Sequence, residues 1–219
     1  TDSEFMTLIA SVKRLVKANG FLHAHAAALR SQQPLSNLVN LHRNALFSKV
    51  ISNTLVSYDR LLNTYELARR VERARLSGAF VECGVWRGGV GGLMGLIAQN
   101  GGSDRETHLF DSFEGLPNPS DQDGARGVES GPSQMDGTLQ PIGMYVASVQ
   151  DVSQFLFDKL DLKRDKVILH QGWFQQTVWQ VRERVKPIAL LRIDADWYES
   201  VKVCLEGLYE NVVEGGYVI

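Results

Sequence analysis

The sequence predicts an α/β fold, in which a parallel sheet carries helices on both faces and a helical cap precedes it at the N-terminus. Short apolar segments, typical of buried strands, alternate with segments whose apolar residues recur at helical spacing. Glycines follow the first predicted strand, and acidic residues stand at the ends of three strands. Because the carboxyl ends of parallel strands meet at one edge of a sheet, we expect a ligand crevice there.

Composition argues against two classes of partner. The net charge of −2 over 219 residues provides no long-range attraction for nucleic acid, and no apolar run approaches the roughly 20 residues of a membrane span. Cys83 and Cys204 stand in apolar contexts without metal-binding spacing, and the start of the chain does not resemble a signal peptide. We therefore expect a small-molecule partner and a reducing, cytoplasmic compartment.

Residues 1–53 are expected to form the helical cap, which packs over the edge of the crevice or builds a homodimer interface. Residues 54–219 are expected to form the ligand-binding domain. Its first helix has Ser57 as a suitable N-cap and a stripe of apolar residues behind it. Taken alone, Thr54 and Ser57 are most simply explained as capping residues. The stripe comprises Leu61, Tyr65, Ala68 and Val71.

The stretch 79–92 is the centre of the predicted site, because an apolar strand ends there in an acid and turns through glycines into a helix. The order is Glu82-x-Gly84-x-x-x-Gly88, with Trp86 inside the turn, and it differs from the G-x-G-x-x-G that binds a dinucleotide pyrophosphate. A carboxylate in this place suits a cofactor that carries an ammonium or sulfonium cation.

The second predicted strand, 107–110, ends in Asp111 and is followed by Ser112. A carboxylate at the end of the second strand is where folds of this kind bind ribose hydroxyls. An Asp-initiated turn would produce the same pattern. With Glu82 upstream, we favour the ribose role.

Residues 117–147 are predicted to be a lid, because they collect four of the six prolines and five glycines. Such a long irregular stretch inside a compact domain is usually functional or disordered. A lid would exclude water from a transfer reaction, and Met135, Met144 and Tyr145 could contact a substrate. Disorder without function is the alternative.

Two further strand ends are predicted to reach the crevice. The first follows a predicted fourth strand, 166–170, where Gly172 and Trp173 could hold a flat purine and Gln171 or His170 could form hydrogen bonds with it. Core packing is the alternative for Trp173, and the preferred one for Phe174.

The second strand end follows the apolar run Ile188–Ile193, which continues into Asp194 and Asp196. Carboxylates in this place are suited to coordinating a hard cation or to acting as a general base. Capping of the next helix by both acids is the simpler alternative, and it explains one acid more easily than two. Gly215 and Gly216 are predicted to form a turn into another strand.

Together these motifs resemble the macrocin O-methyltransferase family, also called the TylF family, which methylates sugar hydroxyls of natural products. The resemblance covers 54–219, and several long motifs in the same order make it specific. The matching segments are 54–60, 80–89, 111–117, 172–174, 190–200 and 215–219.

This resemblance implies a Rossmann-like class I methyltransferase sheet that binds S-adenosylmethionine. Glu82 and Gly84 would lie near its methionine part and Asp111 on its ribose, while Thr54 and Ser57 would hold its amino-acid end. Trp86, Ser112, Gln171, Gly172 and Trp173 complete the expected cofactor-binding set.

The resemblance also implies Mg²⁺ at Asp194, with further ligands expected beyond residue 219. A metal there would activate the acceptor hydroxyl of a small molecule, and Asp196 would act as the general base. Two alternatives remain open, namely a nicotinamide-dependent oxidoreductase and a non-catalytic cofactor-binding module.

Overall fold

Five parallel strands form the sheet in the computed structural model, which describes residues 19–30, 40–131 and 134–219. The strands are β1 (Ala79–Cys83), β2 (Thr107–Asp111), β3 (Val167–Gln171), β4 (Ile188–Ile193) and β5 (Val212–Val218). Their order is β3-β2-β1-β4-β5, and every neighbouring pair is parallel. The glycine-rich turn therefore leaves the central strand of the sheet.

Helices connect the strands and cover both faces. The described helices are α1 (Gly20–Arg30), α2 (Leu41–Val50), α3 (Tyr58–Ala74), α4 (Gly89–Gly101), α5 (Gly124–Glu129), α6 (Val149–Ser153), α7 (Phe174–Val181) and α8 (Tyr198–Leu208). A π-helical turn continues α6 over Gln154–Lys159, and short 3-10 turns occupy Ile51–Asn53, Asp121–Asp123 and Tyr209–Asn211.

Alternate residues of β1 point into two separate apolar layers, as expected for a strand covered on both sides. Phe80 packs into the layer that contains α2, α3, α4 and α6, whereas Val81 and Cys83 pack into the layer beneath α7 and α8. The predicted α/β sheet with helices on both faces is confirmed.

The described part of the N-terminal region packs against the first of these layers. Phe47 of α2 is fully buried, and its ring meets the rings of Tyr58 and Tyr65 edge-on at centroid distances of 5.4 and 5.7 Å. Within the predicted cap, the described helices are α1 and α2. Residues 1–18 and 31–39 lie outside the described part of the chain, so the helical cap over 1–53 stays a prediction.

Two details of the strand prediction need correction. The predicted fourth strand is β3, the third in chain order, because the described residues between β2 and α6 contribute no strand to the sheet. Gly215 and Gly216 lie within β5 and do not form a turn before it. The register there shifts, since Val212 pairs with Ile188 but Tyr217 with Leu190. Glycine at a φ of 79°, as at Gly215, accommodates such a bulge.

The segment 117–147 is held together by local structure in its described part. It contains the Asp121–Asp123 turn and α5, and isolated bridges join Pro117 to Pro141 and Ser120 to Asp136. Its function as a lid stays a prediction.

The described helices include no candidate membrane span. None of them combines the length and the apolar character that crossing a membrane requires.

Candidate functional site

A cleft opens at the carboxyl edge of the sheet, between the ends of β1, β2 and β4. The segment before α3 and residues of the 117–147 segment form its other walls. Nine of the predicted site residues line this cleft: Thr54, Glu82, Gly84, Trp86, Asp111, Ser112, Trp173, Asp194 and Asp196. The strand ends therefore converge where the sequence predicts a crevice.

Arg192 is the centre of the buried charge in this cleft. Its Nη1 donates to Glu82 Oε1 at 2.7 Å and its Nη2 donates to Asp194 Oδ2 at 2.9 Å. The side chains of Glu82 and Arg192 are only 1% and 6% exposed. A buried guanidinium needs such partners because an unpaired buried charge is very costly. Arg192 thereby joins the end of β1 to the end of β4.

Glu82 retains one oxygen that its neighbours do not use. Its Oε2 is buried without a hydrogen-bond partner among the described residues. Burial raises the pKa of Glu82 to about 7, and the nearby charges of Asp194 and Asp111 add to this rise, whereas Arg192 opposes it. The site therefore contains a carboxyl group whose charge changes near neutral pH and which can accept a further hydrogen bond.

Gly84 allows β1 and β4 to approach each other at the floor of the cleft. Its φ is 93°, and a Cβ placed on it would lie 2.1 Å from the carbonyl oxygen of Asp194. The Asp194 N–H donates to the carbonyl of Cys83 at 2.8 Å in the same place. Only glycine fits both the backbone conformation and the close contact.

Asp111 fixes the shape of the turn after β1. Its Oδ2 accepts hydrogen bonds from the N–H groups of Val85 and Trp86 at 2.7 and 3.0 Å, and its Oδ1 accepts one from Phe113 N–H at 2.8 Å. A carboxylate has about four acceptor positions, so this arrangement leaves room for a ribose hydroxyl. The predicted ribose contact is compatible with this geometry but stays a prediction.

Ser112 is engaged in a local turn. Its Oγ donates to the carbonyl of Gly115 at 2.9 Å and accepts from Glu114 N–H at 3.1 Å. It contributes to the cleft wall mainly by holding this turn.

Three predicted cofactor-binding residues lie outside the lining of the cleft. Ser57 caps α3 by accepting from Arg60 N–H at 3.4 Å, as expected from the sequence. The side chain of Gln171 is exposed, and Gly172 donates its N–H to the carbonyl of Asp111 at 2.9 Å. Their contact with a cofactor stays a prediction.

His170, which was predicted as a possible hydrogen-bond partner of a purine, is not among the residues that line the cleft. Its Nε2 shares a hydrogen bond of 3.0 Å with Nδ1 of His108, and its ring stacks on Phe110 at 4.2 Å. Burial and the neighbouring His108 lower the pKa of His170 to about 4. Phe174, which the sequence assigned to the core, lines the cleft beside Trp173 and also packs on the layer beneath α7 and α8.

Asp196 lies at the outer end of the cleft on a strained turn. Its φ is 56°, a left-handed conformation that a non-glycine residue rarely adopts. Its Oδ1 lies 3.5 Å from Nη2 of Arg126, and its side chain is 31% exposed. Partial burial raises the pKa of Asp196, and the charge of Asp194 adds to this rise. A carboxylate with a raised pKa is a stronger base than a fully solvated one.

The described residues do not fit a complete metal site. No group of three or more His, Cys, Asp or Glu within them could hold a metal ion. One oxygen of Asp194 accepts from Arg192, and the other lies 3.8 Å from Nη1 of Arg60. The carboxylate that was expected to bind Mg²⁺ therefore has one oxygen bonded to Arg192 and the other near the exposed Arg60.

Several lining residues were not predicted from the sequence, including Arg60, Arg192 and Ser200, whereas Tyr145 lines the cleft as expected for a residue that could contact a substrate. Arg192 carried a usable signal, because a lone charge in a buried apolar strand requires a carboxylate partner nearby. Arg60 and Ser200 carried none, since they come from segments that only the tertiary fold brings to the cleft.

Comparison with known proteins identifies the family. The model of the macrocin-O-methyltransferase (TylF) family matches residues 18–219. The chain belongs to this family. The resemblance predicted from the motifs is thereby confirmed, and the match extends it into the N-terminal region.

Named relatives of this TylF family chain are O-methyltransferases. Demethyldecarbamoylnovobiocin O-methyltransferase of Streptomyces niveus is 30% identical over 189 residues, which cover 81% of this chain and 69% of the relative. An 8-demethyl-8-(2,3-dimethoxy-alpha-L-rhamnosyl)-tetracenomycin-C 4′-O-methyltransferase of Streptomyces olivaceus is 30% identical over 171 residues, 77% of this chain and 62% of that protein.

A solved structure supports the fold assignment. The O-methyltransferase NovP is 32% identical, with a TM-score of 0.63 over 76% of this chain and 66% of NovP. The predicted Rossmann-like methyltransferase sheet is confirmed. The chain spans 62 to 69% of the length of these three proteins.

Proposed function

We propose that the protein is an S-adenosylmethionine-dependent O-methyltransferase that acts on a hydroxyl group of a small-molecule natural product. The observation that carries the proposal is the pairing, in one cleft, of a buried carboxyl group with an unused oxygen at Glu82 and a second carboxyl group of raised pKa at Asp196. The tetracenomycin relative is named for a rhamnosyl group and a 4′-O position, which supports a sugar hydroxyl as the acceptor.

The inner end of the cleft suits the methyl donor. S-adenosylmethionine carries a sulfonium and an ammonium cation, and the ionised Glu82 attracts a cation from a position of low dielectric. Trp86 and Trp173 supply aromatic faces against which a flat purine can pack. In this assignment, Asp111 accepts hydrogen bonds from the ribose, and the Thr54 side of the cleft holds the amino-acid end.

The outer end suits the acceptor. A hydroxyl placed beside Asp196 gives its proton to the carboxylate while its oxygen attacks the methyl carbon from the side opposite sulfur. The new O–C bond forms as the C–S bond breaks, and its electron pair returns to sulfur, which becomes a neutral thioether. Positioning and removal of the proton are the protein's contributions.

No step in this mechanism uses a metal. The family resemblance predicts Mg²⁺ at Asp194 with further ligands beyond residue 219, and the described residues hold no complete ligand set for it. Addition and chelation of Mg²⁺ during turnover test the metal requirement separately.

Calorimetric titration with S-adenosylmethionine and, in parallel, with NAD tests the donor. We expect heat of binding with S-adenosylmethionine alone, because the turn after β1 has Trp86 and an acid in place of a dinucleotide-binding pattern. Binding of NAD and not of S-adenosylmethionine would overturn the proposal.

Transfer itself is tested with S-adenosylmethionine that carries an isotopically labelled methyl group and a panel of glycosides from actinomycete extracts. We expect label in a product that is heavier by one methyl group. Binding of the donor without transfer to any acceptor would instead favour a non-catalytic cofactor-binding module.

A further inference from the structure

The segment 117–126 contacts the turn that carries Asp196. Three consecutive residues of this turn take part, namely Asp196, Trp197 and Tyr198. Arg126 Nη2 lies 3.5 Å from Oδ1 of Asp196, and the buried indole of Trp197 donates from Nε1 to the carbonyl of Pro117 at 2.9 Å. The N–H of Tyr198 donates to Oδ1 of Asp123 at 2.7 Å. We propose that Asp123 is a positioning residue, which holds the Asp196 turn in the geometry that proton removal requires.

Contacts from outside the Asp196 turn add to the hydrogen bond within it, which Trp197 N–H donates to the carbonyl of Ala195 at 2.6 Å. The φ of 56° at Asp196 lies in the left-handed region, which Asp adopts more readily than most residues with a Cβ but which still benefits from contacts that hold the turn. Trp197 stands at the N-cap position of α8, and an indole has no acceptor for the free N–H groups of the first turn. Asp123 supplies the missing acceptor from a position 75 residues earlier in the chain.

Asp123 is itself held in place by its other oxygen. Its Oδ2 accepts from both the N–H and the Oγ of Ser120, at 2.7 and 3.0 Å. The two oxygens of one carboxylate therefore have separate tasks, because Oδ2 closes a local capping box and Oδ1 caps a distant helix. This division makes it possible to remove one contact and retain the other.

The assignment rests on the proposed function, because Asp123 affects methyl transfer only if Asp196 removes the proton from the acceptor. The assignment also divides the predicted lid, 117–147, into parts with different roles. The first part of that segment, 117–126, serves as a fixed support for the acceptor end of the cleft.

The test compares four variants of the full chain, with methyl transfer, S-adenosylmethionine affinity and hydrogen exchange of the Tyr198 amide as readouts. Asp123→Ala removes the cap, whereas Asp123→Asn keeps one oxygen that can accept from Tyr198 N–H. Ser120→Ala removes the hydroxyl contacts of the local box and keeps the Ser120 N–H, which still donates to Oδ2 of Asp123 at 2.7 Å. Asp121→Ala deletes an exposed carboxylate of the same turn and serves as the control for charge.

We expect Asp123→Ala to lower kcat by about 10- to 100-fold, because small displacements of a reacting group have effects of this size. Its S-adenosylmethionine affinity should stay within about twofold of wild type, as should kcat of Ser120→Ala and Asp121→Ala. Asp123→Asn should recover most of the lost kcat. The Tyr198 amide should exchange faster in Asp123→Ala and at the wild-type rate in the two controls.

Three results would overturn the assignment. These are an unchanged Tyr198 exchange rate in Asp123→Ala, a loss of kcat in Ser120→Ala as large as in Asp123→Ala, and an equal loss of kcat and donor affinity in Asp123→Ala. If the wild-type protein transfers no methyl group at all, the proposed function fails, and the Tyr198 amide exchange still decides whether Asp123 holds this turn.

Discussion

The two ends of the cleft are built from different kinds of structure. At the proposed donor end, Glu82 and Arg192 lie within neighbouring strands and are almost fully buried. At the proposed acceptor end, Asp196 and Arg126 lie on connecting segments, and their side chains are 31% and 76% exposed. Each end therefore contains a carboxylate paired with a guanidinium, but the pair is buried at one end and exposed at the other.

This difference follows the demands on each end. A donor that is the same for a whole family can be bound by groups fixed in the sheet, whereas acceptors differ and are usually read by loops on a rigid scaffold. The contrast predicts that changes at the donor end affect folding and cofactor binding, while changes at the acceptor end affect transfer.

Arg192→Met should have the largest effect on stability. It leaves the carboxyl groups of Glu82 and Asp194 without their shared partner, and breaking a buried ion pair in this way costs about 3–5 kcal/mol of unfolding free energy. Denaturant unfolding measures the loss. A loss below about 1 kcal/mol, the range of an exposed pair, would remove the contrast between the two ends.

Gly84→Ala should be the next most severe change. A left-handed φ and a clash with the carbonyl of Asp194 together should cost about 2–4 kcal/mol. Gly102→Ala is the matched control, because Gly102 also has a positive φ, 71°, but nothing lies within 4 Å of its added Cβ. Equal losses in the two variants would show that the approach of β1 to β4 does not need glycine.

The affinity for S-adenosylmethionine should rise with pH across neutrality. Burial raises the pKa of Glu82 to about 7, so the carboxyl group is mostly protonated at pH 6 and mostly ionised at pH 8. Only the ionised form attracts a cation, which predicts up to about a tenfold increase in affinity over this range. Calorimetry at pH 6, 7 and 8 measures it, and Glu82→Gln should abolish this component of the pH dependence.

Arg126→Met should have the smallest effect on stability. It removes the same charge as Arg192→Met, but from an ion pair that is exposed, and such pairs contribute about 0–1 kcal/mol. The pair of variants, measured under the same conditions, compares the two ends of the cleft directly.

The sheet and the position of the cleft were predictable from the sequence. Apolar segments, the glycines after β1 and the acids at strand ends are local signals, and they locate Glu82, Asp111 and Asp194 correctly at one edge. The resemblance to the family motifs predicted the reaction, which is methyl transfer from S-adenosylmethionine. The bulge at Gly215 was mistaken for a turn, because glycine marks both.

The partners of the site residues were not predictable, because they come from distant parts of the chain. Asp111 accepts from N–H groups 25 and 26 residues earlier, and Arg192 contacts Glu82 across 110 residues. The bond between Asp123 and Tyr198 N–H depends in the same way on how the 117–147 segment folds back. No periodicity or local motif encodes contacts of this kind.

The central claim is that the donor and acceptor ends have separate tasks, and a paired measurement of Asp196→Asn and Glu82→Gln tests it most directly. For each variant, calorimetry gives the dissociation constant of S-adenosylmethionine and a labelled-methyl assay gives kcat. Asp196→Asn should lower kcat by about 10²- to 10⁴-fold, as expected for loss of a general base, with donor affinity nearly unchanged. Glu82→Gln should weaken donor binding. Near-normal turnover in Asp196→Asn, or a loss of donor affinity in Asp196→Asn equal to that in Glu82→Gln, would contradict the account.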